Sequence, residues 1–239
     1  MGNAEGDAVL ETTFGGVCFE ASSAVTFAVT GARCDVTVGG RASAWGEAVT
    51  APAGASVVVG PAQVGMRSYV AVSGGIAVEP VLGSRSTDTL AHVGPPVLTE
   101  GMVLPLGTPH DIPGEAAALP ATHGDAVLRY DEGPRADWFA TRLEGAYAVA
   151  PDSNRVGLRL TGAAVARRRD DELPSEGIVL GAIQVPADGQ PLVFLNDHPT
   201  TGGYPVIGVV VPEDLRLCAQ LRPGDRVTFR PRRPAGSTD

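Results

Sequence analysis

Short β-branched runs, broken at close intervals by glycine or proline, are the feature that most constrains this chain. It holds 31 glycines and 20 prolines in 239 residues. Turn formers at that density, set among Val- and Thr-rich segments, favour strands joined by tight turns. Residues 8–73 read as successive strands. Val17–Val29 alternates imperfectly before Gly31, and Cys34–Val38 leads into a hairpin turn at Gly39-Gly40. Ser56–Val59 and Ser68–Val72 are β-branched runs, the second ending at Ser73-Gly74-Gly75. Ser86 is placed to cap a short helical turn over Ser86–Ala91.

Further along, residues 109–124 are rich in Pro, Gly and Ala and read as a linker. The domains expected are a first β-rich subdomain over 1–108 and a second over 125–233, followed by a tail at 234–239. The second half carries two helix signals. Pro134–Ala146 starts with a proline and holds Trp138, Phe139 and Leu143; Pro212–Leu221 starts with a proline followed by Glu213 and Asp214. Strands are expected near Val156–Leu160, Gly177–Val185, Leu192–Leu195 and Arg226–Arg230.

Composition narrows the function. Hydrophobic residues make up 44% of the chain, enough for a core, and the net charge is −9 with no lysine at all. An acidic chain argues against nucleic acid, whose binding neutralises phosphates with Lys and Arg. No apolar run approaches a membrane span, and the N-terminus has no signal-peptide pattern, so a cytoplasmic protein is expected. Three cysteines, an odd count with no CxxC, read as buried free thiols. The four histidines (92, 110, 123 and 198) have no metal-ligand spacing, and no metal site is expected.

Three segments are dense in small polar and turn-forming residues beside apolar strands: Tyr69–Thr87, Asp152–Arg159 and Gln184–Pro205. Their glycines permit close backbone approach, and their N–H groups and hydroxyls suit an anionic or amide ligand. Arg85 or Arg155 could clamp a carboxylate in bidentate fashion. Asp197, beside Thr200 and Thr201, is either an acid–base or hydrogen-bonding group or the start of an Asx turn. Ordinary hairpin turns account for the same pattern, so composition and spacing stop at a β-rich chain with polar loops.

The same segments carry a family resemblance. YVAVSGGIAVEPVLGSRSTDT from 69, GPRADWF at 133–139, SNRVGLRLTG at 153–162, SEGIVLGAIQVPADGQPLVFLNDHPTTGGYPVIGVV at 175–210 and CAQLRPGD at 218–225 resemble, in order, the blocks of one family. It is that of the C subunit of bacterial ATP-dependent 5-oxoprolinase, also labelled allophanate hydrolase subunit 2 or carboxyltransferase subdomains A and B. The resemblance implies a mainly β fold with few short helices: two cyclophilin-like β-barrel subdomains, the first incomplete. It implies a B subunit and an A subunit as partners, and ATP-dependent opening of 5-oxo-L-proline to L-glutamate, with ATP used by the assembled complex. Relatives in urea carboxylase imply an alternative, carboxyl transfer from biotin held on another chain. A sporulation-kinase regulator pair implies a non-catalytic role as a further alternative.

On these matches the expected catalytic residues are Asp197, Arg85 and Arg155. The expected substrate-binding residues are Gly74, Gly75, Ser84, Ser86, Thr200, Thr201, Gly202, Gly203 and Tyr204. Two departures stand out. The family carries several tens of residues before its equivalent of Gly2-Asn3, so a first subdomain shortened at its N-terminus is expected. His198-Pro199 stands where Arg-Gln is common.

Overall fold

The computed structural model describes residues 1–109, 125–169 and 171–232. The chain divides into two compact units, Met1–Thr122 and His123–Asp239. The expected linker lies, from residue 110 on, outside the described residues, as does the expected tail.

Among its described residues the first unit holds eight strands: β1 (Leu10–Thr13), β2 (Val17–Glu20), β3 (Val25–Arg33), β4 (Val36–Val38), β5 (Arg41–Ser43), β6 (Val49–Ala51), β7 (Ser56–Val59) and β8 (Val64–Val72). They form two open four-stranded sheets, β1-β8-β3-β6 and β2-β7-β4-β5. Strict alternation decides which side chains enter the core. Val25, Phe27 and Val29 of β3 are buried, as are Val57 and Val59 of β7, while Ser56 and Val58 face out. One apolar cluster joins both sheets, with Phe27 and Phe19 in edge-to-face contact at 6.0 Å. The turn at Gly39-Gly40 is as the sequence indicates. Both glycines have positive φ and Val38 pairs with Arg41, the geometry of a two-residue hairpin.

The second unit holds β9 (Ala126–Glu132), β10 (Ala146–Val149), β11 (Gly157–Thr161), β12 (Glu176–Gly177), β13 (Ala182–Gln184), β14 (Leu192–Phe194), β15 (Thr201–Gly202), β16 (Val206–Val210), α1 (Pro212–Cys218) and β17 (Arg226–Pro231). Seven strands close a barrel in the order β10-β11-β14-β13-β16-β9-β17. Closure is completed by the first and last strands of the unit, β9 and β17, which run parallel. The interior is filled by Leu128, Tyr130, Leu158, Leu160, Ile183 and Val193, among others. A second apolar cluster, Ile178, Ala182, Leu192, Phe194 and Val206, takes the alternate residues of β13 and β14. Those strands are therefore buried on both faces, which explains why Leu192–Leu195 reads as an unbroken apolar run.

Several expectations are corrected. The helix expected over 134–146 is absent; a single 3-10 turn, Ala136–Trp138, takes its place, and Ala146 begins a strand. The backbone there satisfies its hydrogen bonds by pairing with residues 166–168: Ala140 N–H donates to Ala166 O, and Arg168 N–H to Trp138 O. That pairing lets Trp138, Phe139 and Leu143 all enter the barrel core, so tertiary burial overrides local helix propensity. The strand expected over Gly177–Val185 is split into β12 and β13. Ser86 caps nothing; Asp88 Oδ1 accepts from the N–H groups of Leu90 and Ala91 and closes that turn. Of the three free cysteines, Cys34 and Cys218 are buried, but Cys18 is exposed, because it lies on the outward-facing register of β2. Full burial pushes the Cys218 thiol up to about 12.

The helix expected from Pro212 is present and ends at Cys218. Asp214 does more there than complement the helix dipole. Its carboxylate accepts from the Arg129 backbone N–H at 2.8 Å, from Nε at 2.9 Å and from Nη2 at 2.8 Å, tying α1 to β9. The Arg129 hydrogen bonds hold the Asp214 carboxyl below its ordinary value. A carboxyl with a depressed folded pKa stabilises above its unfolded pKa and loses that stability as the pH falls through the folded one. Asp214→Asn is therefore expected to cost about 2 kcal/mol at neutral pH. The gap to the parent should narrow below about pH 4. Urea midpoints read from neutral pH to pH ~2.5 check this; a gap independent of pH would refute it.

Candidate functional site

In the second unit the expected residues fall on the loop that enters β11, on the loop that leaves β14 and on the ribbon beside them. Arg155 and Asp197, 42 residues apart, form a two-pronged ion pair: Nε to Oδ2 at 2.9 Å and Nη2 to Oδ1 at 3.2 Å. The Asp197 N–H also donates to Arg155 O at 3.1 Å, so backbone and side chain lock the two loops together. Asp197 is only 7% exposed. A carboxylate so held is suited to orienting a neighbour or accepting a hydrogen bond. Next to it, His198 Nδ1 lies 2.8 Å from Pro199 O, and its ring meets the edge of Phe194.

Thr200 to Tyr204 follow directly. Thr201 and Gly202 form β15, which pairs antiparallel with β12 through Glu176–Gly202 and Gly177–Thr201. Thr200, Thr201, Gly203 and Tyr204 are exposed. Gly202 lies close over the layer beneath it: a Cβ there would lie 3.0 Å from Gln184 Nε2 and 3.3 Å from Ile178 Cδ1, so those side chains would have to give by a few tenths of an ångström. The ribbon therefore lies flat on β13 and the outer apolar cluster, presenting two threonine side chains, a tyrosine and a glycine backbone. Such a surface offers hydroxyl donors and acceptors to a small polar ligand.

Three residues that sequence reasoning passed over hold this surface. Arg135 pairs through Nε and Nη2 with both carboxylate oxygens of Glu176. The guanidinium hydrogen bond holds the Glu176 carboxyl below its ordinary value. Gln184, buried in β13, donates from Nε2 to Tyr204 O at 2.7 Å. All three lie inside the motif blocks GPRADWF and SEGIVLGAIQV, and that position was the available signal.

The remaining expected residues belong to the first unit. Gly74 and Gly75 have positive φ, but the close approach they permit is to the chain itself: a Cβ on Gly74 would lie 2.5 Å from Thr108 O, and one on Gly75 2.8 Å from Asp7 Cβ. The Gly74 N–H donates to Asn3 Oδ1. Ser84 pairs with Val81 across a tight turn, and its Oγ accepts from the Ser86 N–H. Arg85 donates from Nε to Val78 O at 2.8 Å and from Nη1 to Gly6 O at 3.0 Å, contacts that engage only part of its guanidinium fork. The same segment exposes Leu82 (95%), Val97 (67%) and Val103 (91%). Among the described residues there is no cluster of three or more His, Cys, Asp or Glu able to hold a metal ion, and no helix long and apolar enough to cross a membrane.

Comparison with known proteins adds the following. The family described as carboxyltransferase domain, subdomain A and B, matches over residues 1–231. The chain is 36% identical to the C subunit of 5-oxoprolinase from Escherichia coli strain K12, over 96% of this chain and 76% of that protein. It is 30% identical to the C subunit of 5-oxoprolinase from Haemophilus influenzae, again over 96% of this chain and 76% of the relative. Among solved structures, the urea amidolyase of K. lactis superposes with a TM-score of 0.90 at 29% identity, over 96% of this chain and 16% of that one.

Proposed function

The chain belongs to the family of carboxyltransferase domains, subdomains A and B, and from that membership we propose that it is the C-type subunit of an ATP-dependent 5-oxoprolinase, working with A and B subunits to open 5-oxo-L-proline to L-glutamate. The observation that carries this reading is the 36% identity, along almost the whole chain, to a protein named as the C subunit of 5-oxoprolinase.

Lactam opening needs an activated amide carbonyl, a water to attack it and a grip on the substrate carboxylate. In this reading ATP, a substrate of the assembled enzyme, transfers its γ-phosphoryl group to the lactam oxygen and leaves as ADP; water adds to the activated carbonyl carbon, the ring C–N bond breaks as its nitrogen takes up a proton, and a second water releases the phosphoryl group as phosphate. Residues of the second unit supply polar contacts: Thr200, Thr201 and Tyr204 through their hydroxyls, and Gly202 and Gly203 through a backbone that a ligand can approach. Asp197, oriented by Arg155, sets the loop that precedes them.

The test is ATP-dependent glutamate release from 5-oxoproline by this chain co-expressed with A and B subunits. Release above that of the A and B pair alone is expected. A stable complex without release would reject the reading. A second reading, carboxyl transfer to a urea-type substrate, is favoured by the superposition on urea amidolyase. It requires biotin held outside this sequence, which has no lysine to carry it. Carboxybiotin-dependent consumption of urea by the complex would select it.

A further inference from the structure

The segment from Thr200 to Val206 is suspended from several separate elements, at nearly every second residue. Ile178 N–H donates to Thr200 O at 2.9 Å. Glu176 and Gly177 pair with Gly202 and Thr201. Gln184 Nε2 donates to Tyr204 O at 2.7 Å. Arg135 N–H donates to Val206 O at 3.1 Å. Arg135 acts twice, because its guanidinium also grips the Glu176 carboxylate and so braces the strand that pairs with the middle of the segment. Below, Gly202 rests close against Gln184 and Ile178, where a Cβ would lie 3.0 Å from Gln184 Nε2 and 3.3 Å from Ile178 Cδ1. Above, the side chains of Thr200, Thr201 and Tyr204 are exposed. A backbone held at this many points, with its side chains turned outward, is more support than a connecting loop requires, and it matches what a pre-organised ligand surface needs.

We propose that Arg135, Glu176 and Gln184 are positioning residues that hold the Thr200–Tyr204 segment in its substrate-binding geometry. The claim rests on the functional reading above for the identity of the substrate, but not for the mechanical role. Arg135→Ala removes the guanidinium and keeps the backbone N–H, so it isolates the brace. Gln184→Met keeps the length of the side chain and deletes the donor to Tyr204 O. The Arg135–Glu176 pair is about one-third exposed, so its worth lies in geometry more than in global stability.

Two measurements test this. In the full chain, hydrogen exchange of peptides spanning residues 176–206 should quicken in both variants while the urea midpoint of the barrel stays near that of the parent. In the complex with A and B subunits, the KM for 5-oxoproline should rise about tenfold, the scale usual for residues that orient ligating groups. The KM for ATP should stay unchanged. The charge-swapped double variant Arg135→Glu/Glu176→Arg should recover most of what either single swap loses. Unchanged exchange in both variants would overturn the proposal, and so would faster exchange with unaltered kinetic constants. If the parent complex releases no glutamate, the functional reading falls, and the exchange data alone then decide whether these residues position the segment.

Discussion

Phe27→Ala is expected to destabilise the first unit by about 3–5 kcal/mol, the usual cost of deleting a fully buried phenyl ring. Phe27 has no exposed surface, meets Phe19 edge-on, and lies in the cluster that joins the two open sheets. Neither sheet closes on itself, so this shared cluster is what keeps the pair folded. Against the roughly 5–15 kcal/mol typical of a whole domain, a loss of about 3–5 kcal/mol leaves little margin. The chain offers a clean readout. It has two tryptophans, Trp45 in the first unit and Trp138 in the second. Trp45 donates from Nε1 to Ala32 O and packs against the first core, whereas Trp138 is buried in the barrel. Urea unfolding of Phe27→Ala in Trp138→Phe and Trp45→Phe backgrounds follows each unit separately, which matters because a chain of two units need not unfold in one step. The Trp45 transition should move to lower urea. A shift worth less than about 1 kcal/mol would mean that the two sheets do not depend on a common core.

The contrast between the two units shows where sequence reasoning works. The hairpin at Gly39-Gly40 and the helix at Pro212 were legible because their causes are local: positive φ in one case, a proline followed by acidic residues in the other. The strand Ser56–Val59 was legible because it is a β-branched run bounded by glycine. The segment after Pro134 was not, because the backbone partners that keep it out of a helix lie near residue 167, about thirty positions away. The same holds at the site. Thr200 to Tyr204, Asp197 and Arg155 could be picked out from their motifs. That Arg155 is spent on Asp197, or that Arg135 braces Glu176, is a pairing across some forty residues that a single sequence does not encode in any local pattern.

That pairing sets the last prediction. Arg155→Ala is expected to be the more damaging half of the pair, at about 3–5 kcal/mol, because it leaves a buried carboxylate without its guanidinium. Asp197→Ala should cost less, about 1–3 kcal/mol, since the Arg155 side chain is 28% exposed and can turn to water. If the two residues act as one unit, the double variant Arg155→Ala/Asp197→Ala will lose much less than the sum of the single losses, because no charge is left stranded. Urea midpoints of the four proteins close this cycle. The assembled enzyme separates the two roles Asp197 could have. An orienting carboxylate predicts that Arg155→Lys, which keeps a charge but not the fork, retains part of the rate, and that Asp197→Asn, which can still accept a hydrogen bond, does the same. A carboxylate that itself moves the proton predicts that Asp197→Asn is as inactive as Asp197→Ala. The fork seen here, with both carboxylate oxygens engaged by one arginine, favours the first outcome, because both oxygens are already committed to that partner. Equal inactivity of the Asn and Ala variants, with both still folded, would show that the pair opens during turnover and that Asp197 is a catalytic base after all.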